Sequence, residues 1–198
     1  MEAAVQKPVL RRKNTRAEQS VRKLLDAAVE ELSQCSYAAL TVRSVAARAA
    51  VSTTTAYTYF PSKDKLIAET YLRLLRDAPA HVDVNETAEV RVKAQLREFV
   101  LLVADMPLLA DACTMAIMAD DIAVDDVRSQ IAGEIGRRIT SSLGPGYSPE
   151  IAETLHMIFS GAMMHARSTP GGYRKVADQV DLAVELVLHS AQPKGLTR

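Results

Sequence analysis

The sequence has 198 residues, 48% of them hydrophobic, with 24 Lys plus Arg balanced by 24 Asp plus Glu for a formal net charge of zero. That length and apolar content suit one compact domain or two small ones sharing an interface. No run approaches 18 uncharged apolar residues, the N-terminus has no signal-peptide apolar core, and Cys35 and Cys113 form no motif, so no membrane span, secretory leader, disulfide scaffold or zinc knuckle is expected and the expected location is the cytoplasm.

The charge is unevenly spread. Residues 1–76 hold 13 basic and 7 acidic side chains, a net of +6, whereas residues 77–198 hold 11 and 17, a net of −6. The first part is suited to approach a polyanion and the second is not. Residues 1–17 are polar and contain Lys7, Arg11, Arg12, Lys13 and Arg16. They read as a flexible basic arm available to phosphate or the minor groove.

From Ser20 onward Val21, Leu24, Leu25, Ala28, Val29 and Leu32 recur every three or four residues, the stripe of an amphipathic helix that ends around residues 34–37. A short second helix is predicted over 42–49, with Thr41 as its cap, and a third that begins after Ser52, its N-cap, and runs to about Tyr59. Ser62 caps a fourth, in which Leu66, Ile67, Thr70, Tyr71, Leu74 and Leu75 keep the helical spacing. Pro79 and the polar run 83–86 mark a joint. Further helices are predicted near 87–105, 108–120, 124–143, 149–168 and 173–190, with Ser148 and Pro149 opening the fourth of these. No run alternates as a strand would. The predicted fold is all-α, about nine helices, with an N-terminal three-helix unit over 18–65 and a helical body over 66–198.

The most informative segment is Thr41 to Lys65, TVRSVAARAAVSTTTAYTYFPSKDK. Two helices of about two turns each, too short to stand alone, meet at Ala49-Ala50-Val51 and need the first helix to pack on. That is the construction of a helix-turn-helix unit, whose second helix enters the major groove of double-stranded DNA. Ser52, Thr53, Thr54, Thr55, Tyr57, Thr58 and Tyr59 give that helix a hydroxyl-rich surface. Hydroxyls donate to phosphate oxygens or base edges, and threonine methyls meet thymine methyls.

On these residues the chain resembles the TetR family of bacterial repressors. The resemblance runs from Thr15-Arg16 to Leu66 through LLDAAVEEL, LTVRSVAARAAVS and TAYTYFPSKDKL. It implies that Thr41 bonds phosphate or caps the second helix, that Arg43 contacts base or phosphate, and that Thr53 and Thr54 lie nearest base edges. Thr55, Tyr57, Tyr59 and Lys63 would be phosphate contacts and Phe60 core. Two positions depart from the family pattern: Ala50 replaces a glycine in the turn, and Thr54 replaces a glycine in the reading helix.

The same resemblance implies a homodimer formed by the last two helices, with Ile158, Ala162, Met163, Val180, Val184 and Val187 as candidate interface positions. It also implies a small-molecule pocket among the middle helices. Phe99, Leu102, Val103, Met106, Leu109, Met115, Ile117 and Met118, joined by Met157, Phe159 and Met164, suit a mostly hydrophobic effector. Core packing is the competing reading for each of these. The function implied is a repressor released from a palindromic operator by that effector. An activator or dual regulator, and a helical ligand-binding or scaffolding protein that does not bind DNA, are the other readings.

No catalytic or cofactor motif is present. The four histidines lack metal-ligand spacing, and there is no His-Glu-x-x-His, Cys-x-x-Cys, Gly-x-Ser-x-Gly or glycine-rich phosphate loop. Asp120-Asp121 and Asp125-Asp126 read as a solvated loop. No enzyme, metal or cofactor is expected.

Overall fold

The computed structural model describes residues 8–190. Over these the chain is all-helical: α1 (Pro8–Leu32), α2 (Val42–Arg48), α3 (Thr53–Tyr59), α4 (Lys63–Asp77), α5 (Ala88–Leu101), α6 (Pro107–Met118), a 3-10 turn (Ile122–Val124), α7 (Asp125–Leu143), α8 (Pro149–His165) and α9 (Gly172–Ser190). The buried apolar side chains join into one contiguous core from Leu24 to Leu188. α4 runs through its middle, packed on α1 at one side and on α6 and α7 at the other, while α5 lies along α9.

The expected arm over 1–17 differs from the structure, which is helical from Pro8; residues 1–7 lie outside the described residues. The reason is compositional. The stretch is polar, but Arg, Lys, Ala, Glu and Gln are good helix formers, and proline suits a first helical position. Polarity there is no bar to a helix.

Local chemistry sets the helix starts. Thr41, Ser52, Ser62 and Thr87 each occupy an N-cap and accept a backbone N–H of the first turn, from Ser44, Thr55, Lys65 and Val90 respectively. At α2 the arrangement is reciprocal, because the Ser44 hydroxyl accepts the Thr41 N–H at 3.3 Å. Ser148 stands at the N-cap of α8 but makes no cap hydrogen bond there; Pro149 at the first helical position lacks an N–H, so one donor fewer needs an acceptor.

Helix ends are closed from a distance. The last carbonyls of a helix have no partners within it and carry partial negative charge. α6 and α7 have no basic residue in their last turns, and arginines from other elements serve them. Arg128 of α7 donates to the carbonyls of Ile117, at 2.7 Å, and Ala119. Arg91 of α5 donates to those of Ser142 at 2.8 Å and Leu143 at 3.1 Å. The buried Arg138 of α7 reaches the end of α4, donating to the carbonyls of Arg76 at 3.1 Å, Ala78 at 3.0 Å and Pro79 at 3.1 Å. Its charge is balanced by the buried Glu134 at 2.9 Å.

Candidate nucleic-acid interface and ligand cavity

α2 and α3 meet in a turn fixed by two backbone bonds. The Val51 N–H donates to the Ala46 carbonyl at 3.0 Å and the Ala50 N–H to that of Ala47 at 3.2 Å, the Schellman pattern of a helix end. This needs a left-handed residue, and Ala50 supplies it at φ 52°, the one positive-φ residue other than glycine among the described residues. The turn therefore does impose the conformation that a glycine would adopt without strain.

α3 is held from beneath by the buried Ala56, with the buried Phe60 just past its end. Above them Ser52, Thr54, Tyr57 and Thr58 are exposed, and Thr53, Thr55 and Tyr59 half-buried. Several hydroxyls are already engaged. Ser52 and Thr55 share a hydrogen bond at 2.7 Å, and Thr58 donates to the Thr54 carbonyl at 2.9 Å. The hydroxyls of Thr53, Thr54, Tyr57 and Tyr59 make no hydrogen bond among the described residues. On α2, Thr41 is occupied as a cap, whereas Arg43 is exposed and has no ion pair among the described residues. Arg48 is tied back to Glu31 at 2.7 Å and Glu30 at 3.6 Å.

Lys63 is not a freely extended lysine. Its ammonium donates to the Tyr37 carbonyl at 2.9 Å and lies 3.9 Å from the centre of the Tyr37 ring, leaving N–H protons of its three for another acceptor. The Tyr37 hydroxyl donates to Asp64 at 2.6 Å. That bond, with burial, pushes the phenol up to about 12. Tyr37, read from sequence only as part of a chain break, thus orders the start of α4.

The second linkage at this end crosses to the body. Ser62 accepts the Lys65 N–H at 3.0 Å and donates to Asp121 at 2.5 Å. Asp121 also accepts the Ala123 N–H at 2.9 Å. The Ser62 bond foremost, then the Ala123 bond, hold its carboxyl below the usual range. The neighbouring acids are separately engaged, Asp125 with Arg128 and Asp126 with Gln130. No group of three or more potential metal ligands occurs among the described residues.

Between α4, α6, α7 and α8 lies a largely apolar cavity of about 210 Å3. Its walls come from Tyr71 of α4, Cys113, Ile117 and Met118 of α6, Ile131 and Ile135 of α7, and Phe159, Met163 and Met164 of α8, with Val103 closing one side. Of the residues expected there, Val103, Ile117, Met118, Phe159 and Met164 line it, whereas Leu109 is buried in the core. Phe99 does not line it, because it sits behind Phe159 with ring centres 6.0 Å apart. Leu102 and Met106 pack on the core away from the walls, while Met115 and Met157 are exposed. Helix phase is the reason: Ala110, Cys113, Thr114, Ile117 and Met118 form the cavity-facing stripe of α6, and Met115 falls outside it.

The interface expectations need a similar correction. Val180 and Val184 are buried in the chain's own core, and Met163 lines the cavity. Ile158, Ala162 and Val187 are half-buried. The exposed apolar side chains of these helices are instead Met157 and Met164 on α8 and Leu182 and Leu186 on α9. A Cβ added to Gly161, between the two methionines, would meet nothing within 4 Å.

Comparison with known proteins gives consistent relatives. Residues 24–70 match the bacterial regulatory proteins of the tetR family. An uncharacterized HTH-type transcriptional regulator of Mycobacterium tuberculosis is 47% identical over 181 residues, covering 90% of this chain and 85% of that protein. The HTH-type transcriptional repressor KstR of Rhodococcus jostii is 26% identical over 173 residues, covering 84% of this chain and 82% of the repressor. A TetR transcriptional regulator from Rhodococcus sp. RHA1 has the same fold, with TM-score 0.73 at 18% identity, covering 86% of this chain and 98% of that one.

Proposed function

The chain belongs to the tetR family of bacterial regulatory proteins, helix-turn-helix transcriptional regulators, and from that premise we propose that it is a repressor that grips a palindromic DNA operator as a homodimer and lets go when a mostly apolar small molecule fills its cavity. In this reading residues 18–65 are the DNA-reading unit, residues 66–198 the sensing and pairing body, and the site of action is the cytoplasm. It carries no catalytic role.

The observation that bears most weight is the surface of α3. Thr53, Thr54, Tyr57 and Tyr59 offer hydroxyls without partners among the described residues, over the buried Ala56. A helix so anchored and so polar is suited to the major groove. Arg43 stands beside it, Lys63 is oriented by Tyr37, and Ser52, Thr55 and Thr41 frame it. Similarity to the repressor KstR favours repression over activation. Pairing through Met157, Met164, Leu182 and Leu186 would hide apolar surface and double the contact with DNA.

Selection of bound DNA from a random pool tests the reading. The expected result is an enriched two-fold-symmetric sequence whose half-sites lie about one helical turn apart, or a multiple of that. A folded dimer that enriches no sequence would sink it.

A further inference from the structure

The cations around the reading unit are not alike. Arg48 is neutralised by Glu31 at 2.7 Å, Lys65 by Glu69 at 3.4 Å and Arg73 by Asp26 at 2.6 Å. Lys63, the first residue of α4, has no ion pair among the described residues, although Asp64 follows it directly. What holds Lys63 is neutral. Its ammonium donates to the Tyr37 carbonyl at 2.9 Å and lies 3.9 Å from the centre of the Tyr37 ring. A carbonyl and an aromatic face fix an ammonium without cancelling its charge, whereas a carboxylate would cancel most of it.

The same residue occupies Asp64. The Tyr37 hydroxyl donates to the Asp64 carboxylate at 2.6 Å, and that bond, with burial, keeps the phenol protonated and therefore a donor at neutral pH. Successive side chains on a helix ordinarily point to different faces. Here both end on Tyr37, which lies in the link between α1 and α2: Lys63 on the ring face and Asp64 on the hydroxyl. With the hydroxyl gone, the carboxylate's strongest alternative partner is the ammonium on that ring, because charge-assisted pairs are the strong ones. Lys63 has also surrendered rotamer freedom that a free lysine would lose only on gripping a phosphate, and its ammonium keeps N–H protons for that acceptor.

Resting on the reading of Lys63 as a phosphate contact, we propose that Tyr37 is a positioning residue for DNA binding, whose carbonyl and ring hold the Lys63 ammonium in place at full charge while its hydroxyl keeps Asp64 from neutralising it.

Fluorescence anisotropy of the full chain with DNA selected from a random pool, over a range of salt, tests this. Tyr37→Phe keeps the ring and the carbonyl and removes only the hydroxyl. It is expected to weaken binding about fivefold and to lower the salt slope, because the freed Asp64 pairs with Lys63. Asp64→Asn should then raise the affinity of the Tyr37→Phe chain several-fold more than that of the wild type. In a Lys63→Ala background Tyr37→Phe should lose its effect. A loss caused by misfolding would persist in that background and would not be reversed by Asp64→Asn. Unchanged affinity on Tyr37→Phe, an equal loss without Lys63, or an equal gain from Asp64→Asn in both chains would overturn the positioning role and leave the Lys63 contact standing. Unchanged affinity on Lys63→Ala would overturn the contact, and the positioning role with it. A folded chain that selects no DNA would remove both together with the regulator reading.

Discussion

Ser62 and Asp121 are joined by a hydrogen bond of 2.5 Å between side chains 59 positions apart. Ser62 is the N-cap of the helix that follows the DNA-reading unit, and Asp121 lies just beyond α6, whose last residues line the cavity. The start of α4 is thereby tied to the segment that follows the cavity-lining end of α6. Asp121→Ala should leave the fold intact, cost about 1 kcal/mol in urea unfolding, and speed amide exchange in the first turn of α4. Unchanged exchange at Lys65 and Leu66 would show that the bond restrains nothing.

The strain at Ala50 predicts a gain. With φ at 52°, alanine pays a backbone penalty that glycine avoids. Ala50→Gly should raise stability by up to about 1 kcal/mol, partly offset by glycine's greater freedom when unfolded. The check is the urea midpoint at unchanged slope.

Two neighbouring residues of α9 should respond oppositely. Val184 is buried within the chain and Leu186 is 65% exposed. Val184→Ala should cost about 2 kcal/mol of folding stability with the oligomer retained. Leu186→Glu should leave a folded chain that sediments as a monomer at micromolar concentration. The reverse pattern would place the pairing surface elsewhere.

DNA binding should separate contacts by kind. Arg43→Ala should weaken binding across sequences and lower the salt slope by about 1, the signature of a lost phosphate contact. Tyr57→Phe removes one hydroxyl and should weaken binding about fivefold, with no change in thermal unfolding. Unchanged affinity in both would refute the assigned contacts.

Glu134 makes stability depend on acid. Burial alone would raise its pKa, but hydrogen bonds from Arg137 and Arg138 outweigh burial and hold it below the ordinary 4.5. In the interval beneath that value the unfolded chain takes up a proton that the folded chain refuses. The contribution is therefore full above 4.5 and fades as pH falls through the lowered pKa. Glu134→Gln leaves Arg138 buried without a counter-charge and should cost about 3 kcal/mol at neutral pH. The gap between variant and wild type, read from urea unfolding, should narrow on acidification.

The reading unit was legible because its determinants are local. Thr41, Ser52 and Ser62 announce helix starts by chemistry confined to a single turn, and the stripe from Val21 to Leu32 names its own buried face. At Ala50 only the resemblance, which has a glycine there, pointed to a special backbone; the left-handed φ itself came from the structure. The body was legible in outline, but the identity of its faces was not. α9 is apolar on two sides, with Val180 and Val184 on one and Leu182 and Leu186 on another, and only the positions of its neighbours, α5 and α8, decide which is covered. The helical start of α1 was missed because a polar stretch was taken to be unstructured. Tyr37 with Lys63, and Ser62 with Asp121, join residues too distant in sequence for any spacing rule to pair them.

Arg138 gives α4 a mechanical character. It grips the carbonyls of Arg76, Ala78 and Pro79 from within the core, so that end of the rod is a fulcrum. Tyr71 lies about 10 Å along the axis from it and Ser62 about 24 Å, at 1.5 Å of rise per residue. A tilt that displaces Tyr71 by about 1 Å would sweep Ser62 through about 2.4 Å by the same lever ratio, far enough to part its hydroxyl from Asp121. Under the proposed function, a ligand pressing on Tyr71 would need only a small displacement, because the helix itself would multiply it.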